Sequence, residues 1–510
     1  SSWGTNTDGS GSNPTDFATV GQIFNIRNNA TPTLNADWTV SGNGAKVIVG
    51  NGSTPCNFTI PASYSFTGII DIANYGILTI ANPTTSGITF GLLGTGISGS
   101  NGSSVVYSST SSQNVKSANY FDISINGNSV LPNSTTVGSV LVSNTLNVSG
   151  SPTVTNSTVV FCGTGTQNIP SMTYYNLETQ LGGTKILAGD INIGGILRVG
   201  NITTFNASNK IITFNGTGGK KRIIATGTFV PSSSTVIYSV ANDTVSAVNY
   251  NNLTLGNING VYEPSDVIGV SGMFTPGSGT WTKTGSSMVF NGTSSQTIPA
   301  ITYNNLKISN SSGINLSVGT TTITGNLTLS SGIVTTGGNN LYITNTSVDA
   351  VSIGSTSSFV NGRIRRYLPS TLTSNSIYFF PVGSGITYLP FSLNNISTNT
   401  SGTYIDVLAT ASNPGGTYGT GLSSSSSPSE YWTVTHNNTL TASVTLGKQS
   451  AITSNSVIGH SSTGYNGTYT SIGGTANTTS KTVSNSKITT FSDFIIAPSS
   501  ATPVTYYFDG

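Results

Sequence analysis

The side chains of this chain best suited to chemistry come in pairs, and the pair recurs four times. A carboxamide or carboxylate precedes a phenol by seven residues: Gln113 and Tyr120, Gln167 and Tyr174, Asp243 and Tyr250, Gln296 and Tyr303. Each pair follows a hydroxyl residue, two apolar residues and an aromatic: SVVY from Ser104, TVVF from Thr158, TVIY from Thr235, SMVF from Ser287. Amides and phenols hydrogen-bond and stack. If exposed, Tyr174, Tyr250 and Tyr303 would form a sugar-stacking ladder. Their position beside an apolar strand fits an internal stack or turn anchor better. A strand-rich unit recurring at fixed internal spacing marks a repeat architecture, whose units bury their apolar faces against one another. An active site is a singular constellation instead.

Other reactive residues do not converge. Glycoside chemistry uses two carboxylates on one face. The only tight acidic pair is Glu263 with Asp266, and Pro264 beside it makes that a turn. His436 and His460 lack a partner at zinc-binding spacing, and no Gly-x-Ser-x-Gly elbow or phosphate loop occurs. Asp8 and Asp16, flanking Ser10–Asn13, offer oxygens to calcium without the EF-hand spacing, and the plain reading is a polar loop. Cys56 and Cys162 are compatible with one disulfide or with two buried thiols. The expectation is a chain with no cofactor and no enzymatic activity.

Positioning elements follow from the pattern. Runs of four to eight residues rich in Val, Ile, Thr, Tyr and Phe alternate with Gly, Asn and Ser clusters, and helical periodicity is almost absent. Segments such as GSVLVSNTLNVSGSPTVTNSTVVF repeat short β runs in one rhythm, as coils of a parallel β-helix do. An all-β fold is expected: a parallel β-solenoid over residues 1–357, with 1–20 as N-terminal segment or cap. From residue 358 the strands lengthen, prolines punctuate them and Arg363, Arg365 and Arg366 cluster, so residues 358–500 read as an antiparallel β-sandwich. Residues 501–510 read as a C-terminal tail and candidate donor strand. Val504, Tyr506 and Phe508 alternate there with Thr505, Tyr507 and Asp509, a pattern able to complete another molecule's sheet.

Composition sets bounds on partners. Charged residues make up 6% of 510, against roughly 25% in ordinary soluble domains, and the net charge is +2. No basic field exists to hold nucleic acid. With so few charges the strand edges are poorly defended against pairing with other chains. No apolar run approaches the ~20 residues of a membrane helix. Ser1-Ser2-Trp3-Gly4 reads as a processed start, and the Ser, Thr and Asn wealth suits a secreted protein.

The repeat Q-x-[IV]-x4-Y-x-N-L, as in Gln167–Leu177 and Gln296–Leu306, resembles the large secreted surface proteins of the Bacteroidota. So do the block from Phe359 to Gly383, Tyr431–Val434 and Phe491–Ile496. The resemblance implies a β-helical stalk with a following module, at the cell surface, exported by type IX secretion. The sorting domain of that group is missing, as in a form trimmed on export. Asp243-Thr244-Val245 is similar to the O-glycosylation site of the same group, which implies a sugar on Thr244. Three functional readings follow. The first is a structural subunit of an extracellular filament or sheath, a homopolymer joined end to end by the tail. The second is a cell-surface adhesin binding glycans or surfaces. An ice-binding face, which needs a Thr ladder in register, belongs with this second reading, and a β-helix carbohydrate enzyme is the third. The Thr320–Thr324 run is the nearest such ladder and does not recur in the sequence.

Overall fold

A computed structural model describes residues 3–94, 102–256, 259–262, 266–283, 285–372, 375–398, 400–425 and 427–500. The fold is all-β, and the one helical element among the described residues is the 3-10 turn Val348–Ala350. The chain divides into two units, Ser1–Gly260 with Gly277–Thr280, and Val261–Pro276 with Trp281–Gly510. Counted over both, the β-solenoid runs to about 17 turns. Among the described residues no helix is long and apolar enough to cross a membrane.

In the first unit one coil gives one short strand to each of three parallel sheets. The coil with Gln167–Ile169, Thr173–Tyr174 and Asn176–Thr179 is followed by Thr184–Leu187, Ile191–Ile193 and Leu197–Val199, paired strand for strand. Burial alternates along each strand, as in the iBiB pattern of Thr184–Leu187, so apolar residues fill the interior and Thr, Ser and Asn face out. The N-terminal end is lined with rings. Trp3 and Phe17 pack on Phe24 and Trp38 at centroid distances of 5.2–5.6 Å. Cys56 and Cys162 are buried free thiols, and burial pushes both up from the ordinary thiol range.

In the second unit parallel pairing continues past residue 358. Val360–Asn361 pairs in parallel with Val382–Ser384, and Asn340–Ile343 with Ile364–Tyr367. The direction changes at Ile364–Tyr367, whose other edge is antiparallel to Tyr404–Thr410. Antiparallel order follows through Tyr431–His436, Asp493–Pro498 and Ser456–Ser461. A further antiparallel set joins Tyr378–Phe380, Phe391–Ser397, Thr441–Gly447 and Thr482–Ser484. The two sets meet at Phe391 and Phe494, with rings 6.4 Å apart, and at fully buried Trp432, whose Nε1 donates to Leu389 O at 2.9 Å.

Candidate functional site

All eight side chains of the repeated pair lie inside. Their exposure ranges from 0% for Gln113, Tyr174, Asp243, Tyr250 and Tyr303 to 6% for Gln296. The exposed sugar-stacking arrangement of the tyrosines therefore does not occur.

Each Gln ties three backbone groups at a coil corner. Gln113 Nε2 donates to Ile80 O at 2.9 Å and Asn82 O at 2.7 Å on the preceding coil, while its Oε1 accepts from Ser109 N at 3.2 Å. Gln167 makes the same set with Val142 O, Asn144 O and Gly163 N. Gln296 makes it with Val270 O, Gly272 O and Gly292 N. The first carbonyl of each set already accepts a backbone N–H (Ile80 O from Ser108 N, Val142 O from Cys162 N, Val270 O from Asn291 N), so the amide adds a second bond there and reaches one further carbonyl. A buried carbonyl left unpaired costs about 1–3 kcal/mol.

Asp243 has no donor for that task. Arg222, fully buried, takes it over. Its Nε donates to Asp243 Oδ2 at 2.7 Å, and its two amino nitrogens reach Gly194 O, Gly195 O and Thr217 O at 2.8–3.0 Å. Gly216 lets the coils close up around the guanidinium, since a Cβ there would collide with the Gly194 carbonyl. Burial pushes the Asp243 carboxyl up, against the pull of Arg222. Lys185 and Arg366 are used alike. The Lys185 ammonium donates to the carbonyls of Gly163, Gly165 and Gly182. Arg366 donates to Phe379 O, Ser347 O and Val348 O at 2.7–3.1 Å, and burial pulls it down to about 10. These cations were missed in sequence. The available signal was that the one copy with Asp in place of Gln is also the one preceded by Lys220-Lys221-Arg222.

The tyrosines anchor the same corner, each donating its hydroxyl to the carbonyl four residues earlier. The acceptors are Lys116, Pro170, Ser246 and Pro299, at 2.7–3.0 Å. In two copies the aromatic of the leading strand joins in. Tyr107 Oη lies 2.9 Å from Tyr120 Oη and accepts from Lys116 N at 3.1 Å. Tyr238 does so with Tyr250 and Ser246 N. Burial pushes Tyr107 up to about 12 and Tyr120 and Tyr174 well above the ordinary phenol value.

The remaining singled-out residues stand apart. Thr244 is half-exposed beside buried Asp243 and Val245. Asp8 Oδ1 accepts from Ser10 N, and Asp16 Oδ1 from Ala18 N and Thr19 N, so these carboxylates cap local turns. His436 Nδ1 sits 2.8 Å from Asn438 O, and the His460 ring lies 4.9 Å from Phe494. Glu263 and the tail residues Val504, Tyr506 and Phe508 lie outside the described residues. On the outer face of the changeover strand, Arg365 forms a bidentate pair with Asp406 at 2.8 Å between the rings of Tyr342 and Tyr404. Asp406 raises the Arg365 pKa above the ordinary guanidinium value. No family model matches the chain, and comparison with curated proteins and with solved structures returned no match.

Proposed function

We propose that the chain is a non-enzymatic structural protein of an extracellular filament or sheath, with residues 358–500 as a β-sandwich ending the solenoid. One observation carries this reading: the repeated polar and phenolic side chains act on the chain's own backbone, corner after corner, and none of the eight is more than 6% exposed. The repeat thus holds coil to coil, and the outside keeps uncharged hydroxyls and amides. Such a body serves by extending and presenting. The resemblance to Bacteroidota surface proteins supports a cell-surface setting and type IX export, and Thr244 remains a modification site to test by mass spectrometry of native material.

Subunits would join by Val504–Phe508 adding a strand to the next molecule, an interface that generates an open filament unless its rotation closes a ring. Negative-stain microscopy of the full chain and of a variant lacking residues 503–510 tests both parts. Filaments from the full chain alone support them. Filaments of normal length from both preparations exclude the tail as the joint, and single particles throughout exclude the filament reading.

An adhesin is the second reading, and a specific surface favours it. Tyr465 is 51% exposed and stacks on Tyr431 at 5.3 Å and 14°, and Tyr431 packs with half-buried Tyr418 on a small core of Leu422, Tyr469, Ile495 and Ala497. Aromatic faces of this kind suit sugar rings, and loss of glycan-array binding in Tyr465→Ala would mark the site.

A further inference from the structure

Two unpaired strand edges border one gap in the wall of the first unit. Ile88–Leu93 pairs in parallel with Phe66–Ile72 on one side, and among the described residues no strand pairs with its other side. Across the gap, Ala118–Asn126 pairs from end to end with Val140–Ser149, but Ser104–Tyr107 meets its opposite edge only from Asp122 to Ile125. Its first residues, Ala118–Tyr120, therefore present a second free edge. Between the two edges lies a cavity of about 520 Å³, lined by Ile88–Leu93 along one side and by residues 116–119 along the other.

An edge that ends a ladder carries unpaired backbone donors and acceptors, and a slot bounded by two such edges is shaped for one more strand. Its lining fits that use. Leu92 is 74% exposed, and Phe90 packs edge to face on buried Tyr120 at 5.9 Å. Lys116 is the one charged residue of the lining. Its Nζ lies 3.4 Å from Thr85 O, and among the described residues it has no carboxylate partner. Burial pulls its pKa down, and no neighbouring charge offsets that. The backbone of Lys116 is held on both sides, since its N–H donates to Tyr107 Oη and its carbonyl accepts from Tyr120 Oη. A fixed, half-buried cation thus stands in the slot without an anion.

These features define the occupant. A strand matching Ile88–Leu93 has 6 residues, apolar at alternate positions, with an acidic group at the end that meets Lys116. Residues 504–509 have that pattern: Val504, Tyr506 and Phe508 alternate with Thr505, Tyr507 and Asp509. Charge also fixes the direction. Lys116 sits beside Thr85, ahead of the start of Ile88–Leu93, so Asp509 reaches it when the incoming strand runs antiparallel to Ile88–Leu93. Resting on the reading of the tail as the joint, we propose that residues 504–509 of a second copy add as a strand between Ile88–Leu93 and Ala118–Tyr120, with Asp509 paired to Lys116. The interface is heterologous, tail to slot, as an open filament requires.

The test uses the full chain, kept dilute and titrated with a dye-labelled peptide of residues 501–510. Fluorescence anisotropy reads binding, and hydrogen–deuterium exchange at saturation reads the place. The peptide should bind and slow exchange in Ile88–Leu93 and Ala118–Tyr120. Lys116→Glu in the chain should weaken binding at least tenfold, and so should Asp509→Lys in the peptide. The two changes together should recover most of the loss. The peptide change leaves the protein intact, and a melting temperature within a few degrees of native shows that Lys116→Glu is folded. Absence of binding overturns the proposal, as does protection at another edge such as Ile23–Ile26, or a charge swap without recovery. So does a slot already protected in the dilute chain before peptide is added, the mark of a tail folded back on its own molecule. Failure of the tail reading is separate. Filaments that survive removal of residues 503–510 exclude the tail as the joint, whereas filaments lost on that removal but normal in Lys116→Glu exclude this slot alone.

Discussion

Among single residues, the four motif copies vary in a coupled way. Where the residue four before the Tyr carries an N–H, as Lys116 and Ser246 do, the leading strand ends in Tyr107 or Tyr238, whose hydroxyl accepts from that N–H. Where that residue is Pro170 or Pro299, no N–H exists, and the strand ends in Phe161 or Phe290. The phenol is there because a buried donor must be satisfied. Tyr107→Phe should therefore cost about 1–3 kcal/mol, and adding Lys116→Pro should recover most of it, since the orphaned donor disappears. A double-mutant cycle from urea melts checks this. Additive costs would mean that the N–H is not what Tyr107 serves. Arg222→Ala should cost more, about 3–5 kcal/mol, because it strands the Asp243 carboxylate in the interior. The Gln/Asp-to-Tyr spacing was plain in the sequence, but its partners were not. They are main-chain carbonyls 23 to 33 residues earlier, which have no side-chain signature.

Among the elements, the short strands were legible because Gly and Asn turns bound runs whose apolar residues alternate, a period only strands use. The end of the parallel pairing was not. The arginines near residue 363 suggested a boundary at 358, yet parallel pairs persist to Val382–Ser384. The cause is the strand Ile364–Tyr367, with pattern BiBi: Arg365 faces out to Asp406 and Arg366 points into the core. A sequence reading takes both as surface charges. Their neighbours set different energetic roles. Arg366→Ala removes the donors of three carbonyls and should destabilise by about 3–5 kcal/mol, as loss of a buried charged partner does. Arg363, 44% exposed and 3.9 Å from Asp406, should change stability by no more than about 0.5 kcal/mol when replaced by Ala. Chemical denaturation of both variants decides the matter, and equal effects would show that the Arg366 carbonyl contacts do not hold the changeover strand.

For the whole molecule, scarce charge makes the pH dependence depend on a few buried groups. Burial raises Tyr107 to about 12, and also raises Tyr120, Tyr174, Tyr238, Tyr378, Tyr388, Tyr418 and Tyr469. A phenol with a raised folded pKa favours the fold while it stays protonated. Its contribution is complete below the unfolded value of about 10 and is lost as pH climbs toward the folded value. Lys116, Lys185, Lys283 and Arg366 are lowered by burial and act in the opposite sense, but they are fewer. On the acid side, burial lowers His460, so its contribution is present above about 6.5 and is lost as pH falls below that. Melting temperature should thus be nearly flat between about pH 6.5 and 8.5, decline gently above that as the raised thiols of Cys56 and Cys162 begin to matter, and fall steeply from about 10 to 12. Ultraviolet titration should show the buried tyrosines ionising together with loss of the strand signal in circular dichroism. If they titrate near pH 10 while the fold persists, the hydroxyls are open to solvent, and the corner-anchoring role argued for them fails with that result.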